Sequence, residues 1–361
     1  MIKTFEEVFE DKTKYGTKIK TEQYQKEGKN IIIDQGKEII SGYTDIQEGL
    51  FEDVPVIIFG DHTRIIKYVD RPFFLGADGV KILKSKFKDA NYKYLYYALR
   101  NVKIPNTGYN RHFKWLKEVE IEYPEIEIQT KIVKVLDKIV HIMNVKRQEI
   151  DNLNTLIKSR FTEMFGDPIV NSLHWQEELI GDSNFVTKLA GFEYTQYIHY
   201  EESGDVVMVK AQNVKNGKLN RKDLSYISNE VSNSLPRSQL AVGDVVMTYV
   251  GANIGDVAVI DDEYKYHLAP NVAKIRPNAE KYNSVYFMYM LMFLNSYIVG
   301  NSADTAKAAL GMERIRKLKI FAPPMELQNQ FATFVHSIDK LKSHFLKLPV
   351  FPGLSVVKYT Y

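Results

Sequence analysis

The stretch NTGYNRHFKW, Asn106 to Trp115, sets Tyr109, Asn110, Arg111, His112 and Lys114 close together behind a turn at Gly108. Arginine forks onto guanine, asparagine pairs bidentately with adenine, and lysine meets phosphate. The set therefore suits nucleic-acid recognition, although a solvated loop ahead of a strand would use the same residue types. GDHTR (Gly60 to Arg64) and YVGANIGD (Tyr249 to Asp256) both follow apolar, strand-like runs, and offer His62, Arg64, Tyr249 and Asn253 to a groove. The glycines at 251 and 255 suit tight turns, because GANIG lacks the dinucleotide fingerprint. Gln212 and Asn213 follow the run Val206 to Lys210, where they could pair with adenine or cap the backbone. NSADTAKAALGMER (Asn301 to Arg314) offers Lys307 and Arg314 to phosphate, and its Ala-rich centre suits close backbone approach or a helix start. Tyr94, Tyr96 and Tyr97 stand at helical spacing, which favours core packing over base stacking.

Other chemistry has less support. Asp256 followed by Glu263-Tyr264-Lys265 has the loose Asp…Glu-x-Lys form of a Mg²⁺-dependent nuclease. Its context, IDDEYKY, reads more simply as a polar hairpin turn between strands. The eight histidines are scattered and none pairs at metal-ligand spacing. There is no Asn-Pro-Pro-aromatic or Asp-Pro-Pro-aromatic tetrapeptide and no phosphate-cradling glycine loop. With no cysteine, thiolate metal sites, disulfides and a cysteine nucleophile are excluded. A chain without chemistry of its own, and without a cofactor, is expected.

Bulk properties frame these residues. The chain has 361 residues, long enough for two ordinary domains. No stretch reaches the roughly 20 apolar residues of a membrane helix, and the N-terminus lacks a signal-like apolar core, so a cytoplasmic location is expected. A net charge of +3 does not by itself argue for nucleic acid. Its distribution says more: from Ala90 to Lys117 there are six Lys/Arg and no Asp or Glu.

The elements that would position these loops occur twice. FKWLKEVEIEYP (from Phe113) answers MERIRKLKIFAP (from Met312), with Leu116, Val119 and Ile121 matching Ile315, Leu318 and Ile320 at an offset of 199. YLYYAL (Tyr94) answers YFMYML (Tyr286), GVKIL (Gly79) answers VAKIR (Val272), and VPVIIFGD (Val54) answers DVVMTYVGA (Asp244). Short β-branched runs, such as Ile31 to Ile33 and Val245 to Val250, predict strands. One helix per half is predicted, near Tyr92 to Arg100 and Ser284 to Tyr297, so each half is expected to be α+β.

Each half ends in a Pro, a Glu and a Gln opening a helix: YPEIEIQTKIVKVLDKI from Tyr123 and APPMELQNQFATFVHSIDKL from Ala322. In the first, Ile132, Leu136, Ile139, Met143, Ile150, Leu153, Ile157 and Met164, with Lys146 and Arg160 in the gaps, form a heptad seam. It predicts a helix over Ile126 to Phe165, about 60 Å long, stopped by Gly166-Asp167-Pro168. Phe331, Val335, Ile338, Leu341, Phe345 and Leu348 predict a second helix of about 33 Å, ending at Pro349. A one-sided apolar stripe needs a partner, and antiparallel pairing of the two helices would relate the halves by a pseudo-twofold axis.

Two such halves, each followed by a Pro–Gln helix, resemble the specificity subunit of type I restriction–modification systems. IIIDQGKEIISGYTD (Ile31 to Asp45), GDVVMTYVGANIGDVAVID (Gly243 to Asp261) and LAPNVAKIRP (Leu268 to Pro277) carry the resemblance further, to about residue 348. It implies target recognition domains at 1–124 and 167–323 and spacer helices at 125–166 and 324–348; the irregular tail at 349–361 has no helical period and departs from the family pattern. The resemblance implies a non-catalytic subunit reading a bipartite, asymmetric site in double-stranded DNA. The implied partners are methyltransferase subunits, two of them, and motor-nuclease subunits. Half-sites meet a two-reader protein at a spacing set by the helical turn, ~34–36 Å or a multiple. Two alternatives stand beside this reading: a stand-alone nuclease or the recognition part of a single-chain restriction enzyme, and a coiled-coil scaffold without a nucleic-acid role.

Overall fold

The computed structural model describes residues 1–76, 79–300 and 310–347. The bodies of its two compact units are Met1–Lys146 and Arg147–Leu348. Unit 1 runs through β1 (Ile2–Thr4), α1 (Phe5–Val8), β2 (Phe9–Asp11), β3 (Asn30–Ile33), β4 (Gly42–Thr44), β5 (Val56–Gly60), β6 (Ile66–Val69), β7 (Phe73–Leu75), β8 (Val80–Ser85), α2 (Tyr92–Asn101), α3 (Phe113–Leu116) and β9 (Glu120–Glu122), then enters α4 (Ile126–Phe165). Unit 2 takes up the end of α4. It continues through β10 (Glu177–Leu179), α5 (Ile180–Ser183), β11 (Phe185–Lys188), α6 (Gly191–Tyr197), β12 (Val206–Val209), β13 (Val214–Lys215), β14 (Lys218–Leu219), β15 (Tyr226–Ile227) and α7 (Asn229–Ser234). It closes with β16 (Gln239–Leu240), β17 (Val245–Thr248), β18 (Val257–Val259), β19 (Tyr266–Leu268), β20 (Val272–Arg276), α8 (Ser284–Phe293), α9 (Asn295–Gly300), α10 (Met312–Arg316), β21 (Lys319–Phe321) and α11 (Met325–Lys347).

Both units are mixed α+β with one topology. A four-stranded sheet is ordered β2-β8-β5-β6 in unit 1 and β11-β20-β17-β18 in unit 2, antiparallel throughout. A second sheet is built on one parallel pair, β3 with β7 (Ile31 opposite Phe73) and β12 with β19 (Val207 opposite Tyr266). Unit 2 adds an edge strand, β16, to that sheet and inserts the hairpin β13–β14. Each unit closes by pairing its first strand with its last: Ile2 opposite Glu122, and Glu177 opposite Phe321.

The central strands are buried on both faces, and period-2 alternation sends neighbouring side chains into different cores. Ile57 and Phe59 join Leu95 and Leu99 of α2, while Val56 and Ile58 join Ile31, Ile33 and Phe73. In unit 2, Val245 and Met247 join Tyr286 and Phe287 of α8, while Val246 joins Val207, Val209 and Leu268. Asparagine caps both helices in the same way: Asn91 accepts from the Tyr94 amide, and Asn283 from the Val285 and Tyr286 amides.

The long helix has the predicted bounds, and Gly166 ends it in the left-handed region at φ +80. It serves two cores: Val133 is buried in unit 1, and Ile157, Phe161 and Phe165 are buried in unit 2. Phe331 of α11 packs edge-on against Phe161 and Phe165, with centroids 5.4 and 5.6 Å away. The twice-written Pro–Gln entrance is a clamp. Gln129 Nε2 donates to the Pro124 carbonyl at 2.8 Å, and Gln328 Nε2 to the Pro323 carbonyl at 2.7 Å. Both glutamines are buried, and each satisfies a carbonyl at the entrance of its own helix.

Three expectations need correction. The single helix expected near Ser284 to Tyr297 is two, α8 and α9, separated at Leu294, which caps α8 at φ −78, ψ −7. IDDEYKY does not close a hairpin: β18 pairs with β17, whereas β19 pairs with β12 and β16 in the other sheet. The strand expected from Val54 starts at Val56, after the Val54–Pro55 pair, where proline offers no amide to a ladder. Among the described residues, no helix is long and apolar enough to cross a membrane.

Candidate nucleic-acid interface

In unit 1 the structure brings together two segments that lie some fifty positions apart. The carbonyl of Asp61 accepts from the His112 amide at 2.8 Å and from His112 Nδ1 at 3.0 Å. Because that carbonyl can only accept, Nδ1 carries the ring proton and Nε2 is left to accept from the Thr107 hydroxyl at 3.3 Å. The Asp61 carboxylate accepts from the Phe113 amide at 2.7 Å, and the Asp61 amide donates to Gly79 at 2.6 Å. His62 stacks on Tyr109, centroids 4.8 Å apart and planes 9° apart. Arg64 Nη1 reaches the Ile104 carbonyl at 3.4 Å.

These ties hold an exposed loop to the β5–β6 turn. Tyr109 is 86% exposed despite its stack. Asn110, Arg111 and Lys114 are exposed beside it. Lys114 Nζ lies 4.9 Å above the Trp115 ring, and Arg111 has no hydrogen bond or ion pair among the described residues. The Asn110 amide donates to the Thr107 carbonyl, so the loop is braced from within. Gln35, in the turn after β3, accepts from the His62 amide at 3.2 Å and from the Thr63 hydroxyl at 2.6 Å, adding a third segment. Burial lowers the pKa of Lys67, opposed by Asp34 and Glu38; its ammonium donates to the Glu38 carbonyl and braces that turn.

His112 is the clear correction. It is fully buried with both ring nitrogens engaged, so it anchors the exposed loop and cannot enter a groove. Asn213 is corrected likewise. At 2% exposure, its oxygen accepts from the Lys210 amide at 3.1 Å, and its nitrogen donates to the Asn220 and Lys222 carbonyls at 2.9 and 3.1 Å. All its useful valences are spent on its own turn.

Unit 2 repeats the scaffold with different side chains. The Tyr249 amide donates to Asn271 at 2.9 Å, and its carbonyl accepts from Leu310 at 2.8 Å. These bonds correspond to those of Asp61 with Gly79 and His112. Gly79 (φ +87) and Asn271 (φ +70) share the left-handed backbone that this turn needs, and so do Arg64 (φ +60) and Gly255 (φ +84). Tyr249 is half-buried with Lys188 Nζ 5.4 Å over its ring. Asn253 and Gln212 are exposed, and Arg314 is half-buried on α10. Lys307 lies outside the described residues.

Sequence reading did not nominate Asp61, although GDHTR contains it, nor Lys188. Their roles depend on partners distant in the chain, His112 and Tyr249, and no local pattern shows that. Of the loose nuclease pattern, Glu263 is exposed, Lys265 Nζ donates to Asn229 at 2.9 Å, and burial raises the pKa of Asp256. Among the described residues, no three His, Asp or Glu side chains group to hold a metal.

The described geometry can be set against known proteins. The family model for the type I restriction modification DNA specificity domain matches residues 1–155 and 186–347. The chain is 23% identical over 299 residues to the type I restriction enzyme MjaVIII specificity subunit of Methanocaldococcus jannaschii, covering 74% of this chain and 69% of that protein. It is 29% identical over 143 residues to the EcoR124I/EcoR124II specificity subunit of Escherichia coli, covering 36% of this chain and 35% of that protein. The crystal structure of the type I restriction-modification S subunit from M. genitalium superposes with a TM-score of 0.57 at 17% identity, covering 96% of this chain and 91% of that one. That likeness is one of fold. The chain belongs to the type I restriction modification DNA specificity family and carries that domain twice.

Proposed function

We propose that this chain is the non-catalytic reader of a type I complex, with each unit contacting one half of a bipartite, asymmetric site in double-stranded DNA. The observation that carries the reading is the convergence of Asp61–Arg64 and Ile104–Lys114 into one anchored loop that presents Tyr109, Asn110, Arg111 and Lys114. Fixed backbone ties lower the ordering cost of binding, which favours base contacts over mere attraction to phosphate. Unit 2 has the same scaffold with Lys188, Tyr249, Asn253 and Arg314 around it, so its half-site differs. The 40-residue α4, shared by both cores, would fix the gap.

Methyltransferase subunits, two per chain, are the partners proposed for the helical surface, with motor-nuclease subunits completing the complex. Ile128, Val135 and Ile142 lie one heptad apart on α4 and are 47%, 56% and 43% exposed, an apolar stripe suited to a partner helix. Co-expression with the cognate methyltransferase subunit, followed by mapping of methylated adenines, tests the whole reading. A single split motif with a constant gap is expected. Absence of methylation together with absence of co-purification would overturn it.

A further inference from the structure

The two units differ sharply in charge at one matched connection, and sheet register fixes the match. Gly60 lies opposite Val80 in unit 1 as Thr248 lies opposite Val272 in unit 2, so Leu83 corresponds to Ile275. Asp11 lies opposite Leu83, and Val186 opposite Ile275. The residues that follow, 12–29 leading into β3 and 187–205 leading into β12, are therefore equivalent connections. The first holds six lysines and two glutamates. The second holds Lys188 as its one Lys or Arg, with three glutamates and an aspartate.

The connection of unit 1 is held at the end of the sheet where the exposed loop lies. The Lys12 amide donates to the Ile82 carbonyl at 2.8 Å, and the Thr13 hydroxyl accepts from the Ile82 amide at 3.0 Å. After one turn of 3-10 helix, Thr13–Tyr15, the Leu75 amide donates to the Thr17 carbonyl at 3.0 Å and the Ile19 amide to the Leu75 carbonyl at 2.8 Å. Lys81 joins this segment to the loop: its Nζ lies 3.3 Å from the Asp11 carboxylate and 4.8 Å over the ring of Phe113, the neighbour of His112. The strand order β2-β8-β5 sets two strand spacings, about 10 Å, between the connection and the β5–β6 turn. Lys14 and Lys20 are exposed and have no ion pair among the described residues, whereas Lys12 is tied to Glu10 at 2.9 Å. Tyr15, 59% exposed, has the Lys14 ammonium 4.8 Å from its ring centroid, which restrains that long side chain.

We infer that Lys14 and Lys20 grip the phosphate backbone of duplex DNA beside the half-site that unit 1 reads, and that unit 2 has no equivalent grip. The major groove is about 12 Å wide, so an element about 10 Å to the side of a loop lying in it meets the phosphate wall of that groove. Lysine, a compact charge with three donors, suits phosphate oxygens and carries no base preference there. In unit 2 the position matching Lys14 is Leu189, which is buried, and Glu201, Glu202 and Asp205 are exposed acids that repel phosphate. Unit 1 thus supplies sequence-independent affinity that unit 2 does not. The inference rests on the proposed reading of DNA and adds a second contact to it.

The test is a salt series of duplex titrations with the full chain, co-purified with its methyltransferase subunit, on cognate and random duplexes. Lys14→Ala combined with Lys20→Ala removes two phosphate contacts and should flatten the plot of log affinity against log salt by about 1.8. Affinity for both duplexes should fall together, so their ratio holds. Lys26→Ala combined with Lys29→Ala removes the same charge from exposed positions before Asn30, at the end of β3 away from Leu75, and should leave the slope as it was. An unchanged slope in the first pair overturns the inference, and so does equal flattening by both pairs, which would reduce the effect to net charge. A narrowed ratio of cognate to random binding would move Lys14 and Lys20 to base reading and overturn the phosphate assignment. Loss of the methyltransferase subunit from the first variant would overturn it too, giving the surface to that protein. If the unaltered complex shows no preference for the cognate duplex, the proposed reading itself fails, an outcome distinct from all of these.

Discussion

The Asp61 carbonyl accepts two hydrogen bonds from His112, one from its amide at 2.8 Å and one from its ring at 3.0 Å. Through this pair the β5–β6 turn and the loop before α3 act as one body. His112→Ala leaves part of the buried Asp61 carbonyl unpaired beside a cavity. An orphaned buried group costs about 1–3 kcal/mol, so a lower Tm is expected. The freed loop should weaken binding to cognate duplex, as measured by titration at fixed salt, even though His112 touches no base.

Arg111 and Lys114 are exposed and free to meet DNA, so their loss should affect binding and leave folding alone. In the proposed role Lys114 meets one phosphate, so Lys114→Ala should flatten the plot of log affinity against log salt by about 0.9. Arg111→Ala should narrow the gap between cognate and random duplex, with a base contact worth about 1–3 kcal/mol of discrimination. A change in Tm beyond that of a neutral surface substitution would assign these residues to the fold instead.

Arg64 occupies a backbone geometry, φ +60, that its counterpart in unit 2 gives to Gly255. A Cβ in that region costs about 1–2 kcal/mol. Arg64→Gly is therefore expected to hold or raise Tm while lowering DNA affinity. Parallel melting and binding curves separate the two effects, and a gain in both would remove Arg64 from the interface.

Gln328 uses its side chain three times: Nε2 donates to Pro323 and Lys281, and Oε1 accepts from the Asn283 amide at 2.9 Å. The Nε2 of Gln129 has the single Pro124 bond. Replacing each with methionine keeps the volume and removes the bonds. Gln328→Met should lower Tm more than Gln129→Met, by roughly the difference of two buried bonds at about 1 kcal/mol or more each.

Lys274 lies buried in β20 with Nζ donating to the Arg237 and Gln239 carbonyls at 2.6 and 2.8 Å. Burial lowers its pKa to about 8, with Asp244 opposing the shift. The folded value lies below the unfolded one, so between these pKa values the unfolded chain binds more protons. Stability from this group should rise as pH climbs from about 8 towards the ordinary lysine range, by at most about 1.4 kcal/mol per unit. The Tm difference between the wild-type chain and Lys274→Met, followed over that range, checks the sign.

The sequence alone determined what depends on local periodicity. The heptad spacing of Ile132 to Met164 and the Gly166 stop specified a helix over Ile126–Phe165, because helical facing needs only one chain segment. The recurrence of Leu116, Val119 and Ile121 as Ile315, Leu318 and Ile320 specifies the duplication. The tertiary structure decided the role of each polar side chain. His112 and Asn213 resemble Asn110 and Gln212 in type and neighbourhood, yet the first two are buried and saturated while the others face water. Burial and hydrogen-bond pairing are set by partners distant in the chain, Asp61 for His112 and Asn220 for Asn213, and residue type carries no record of them.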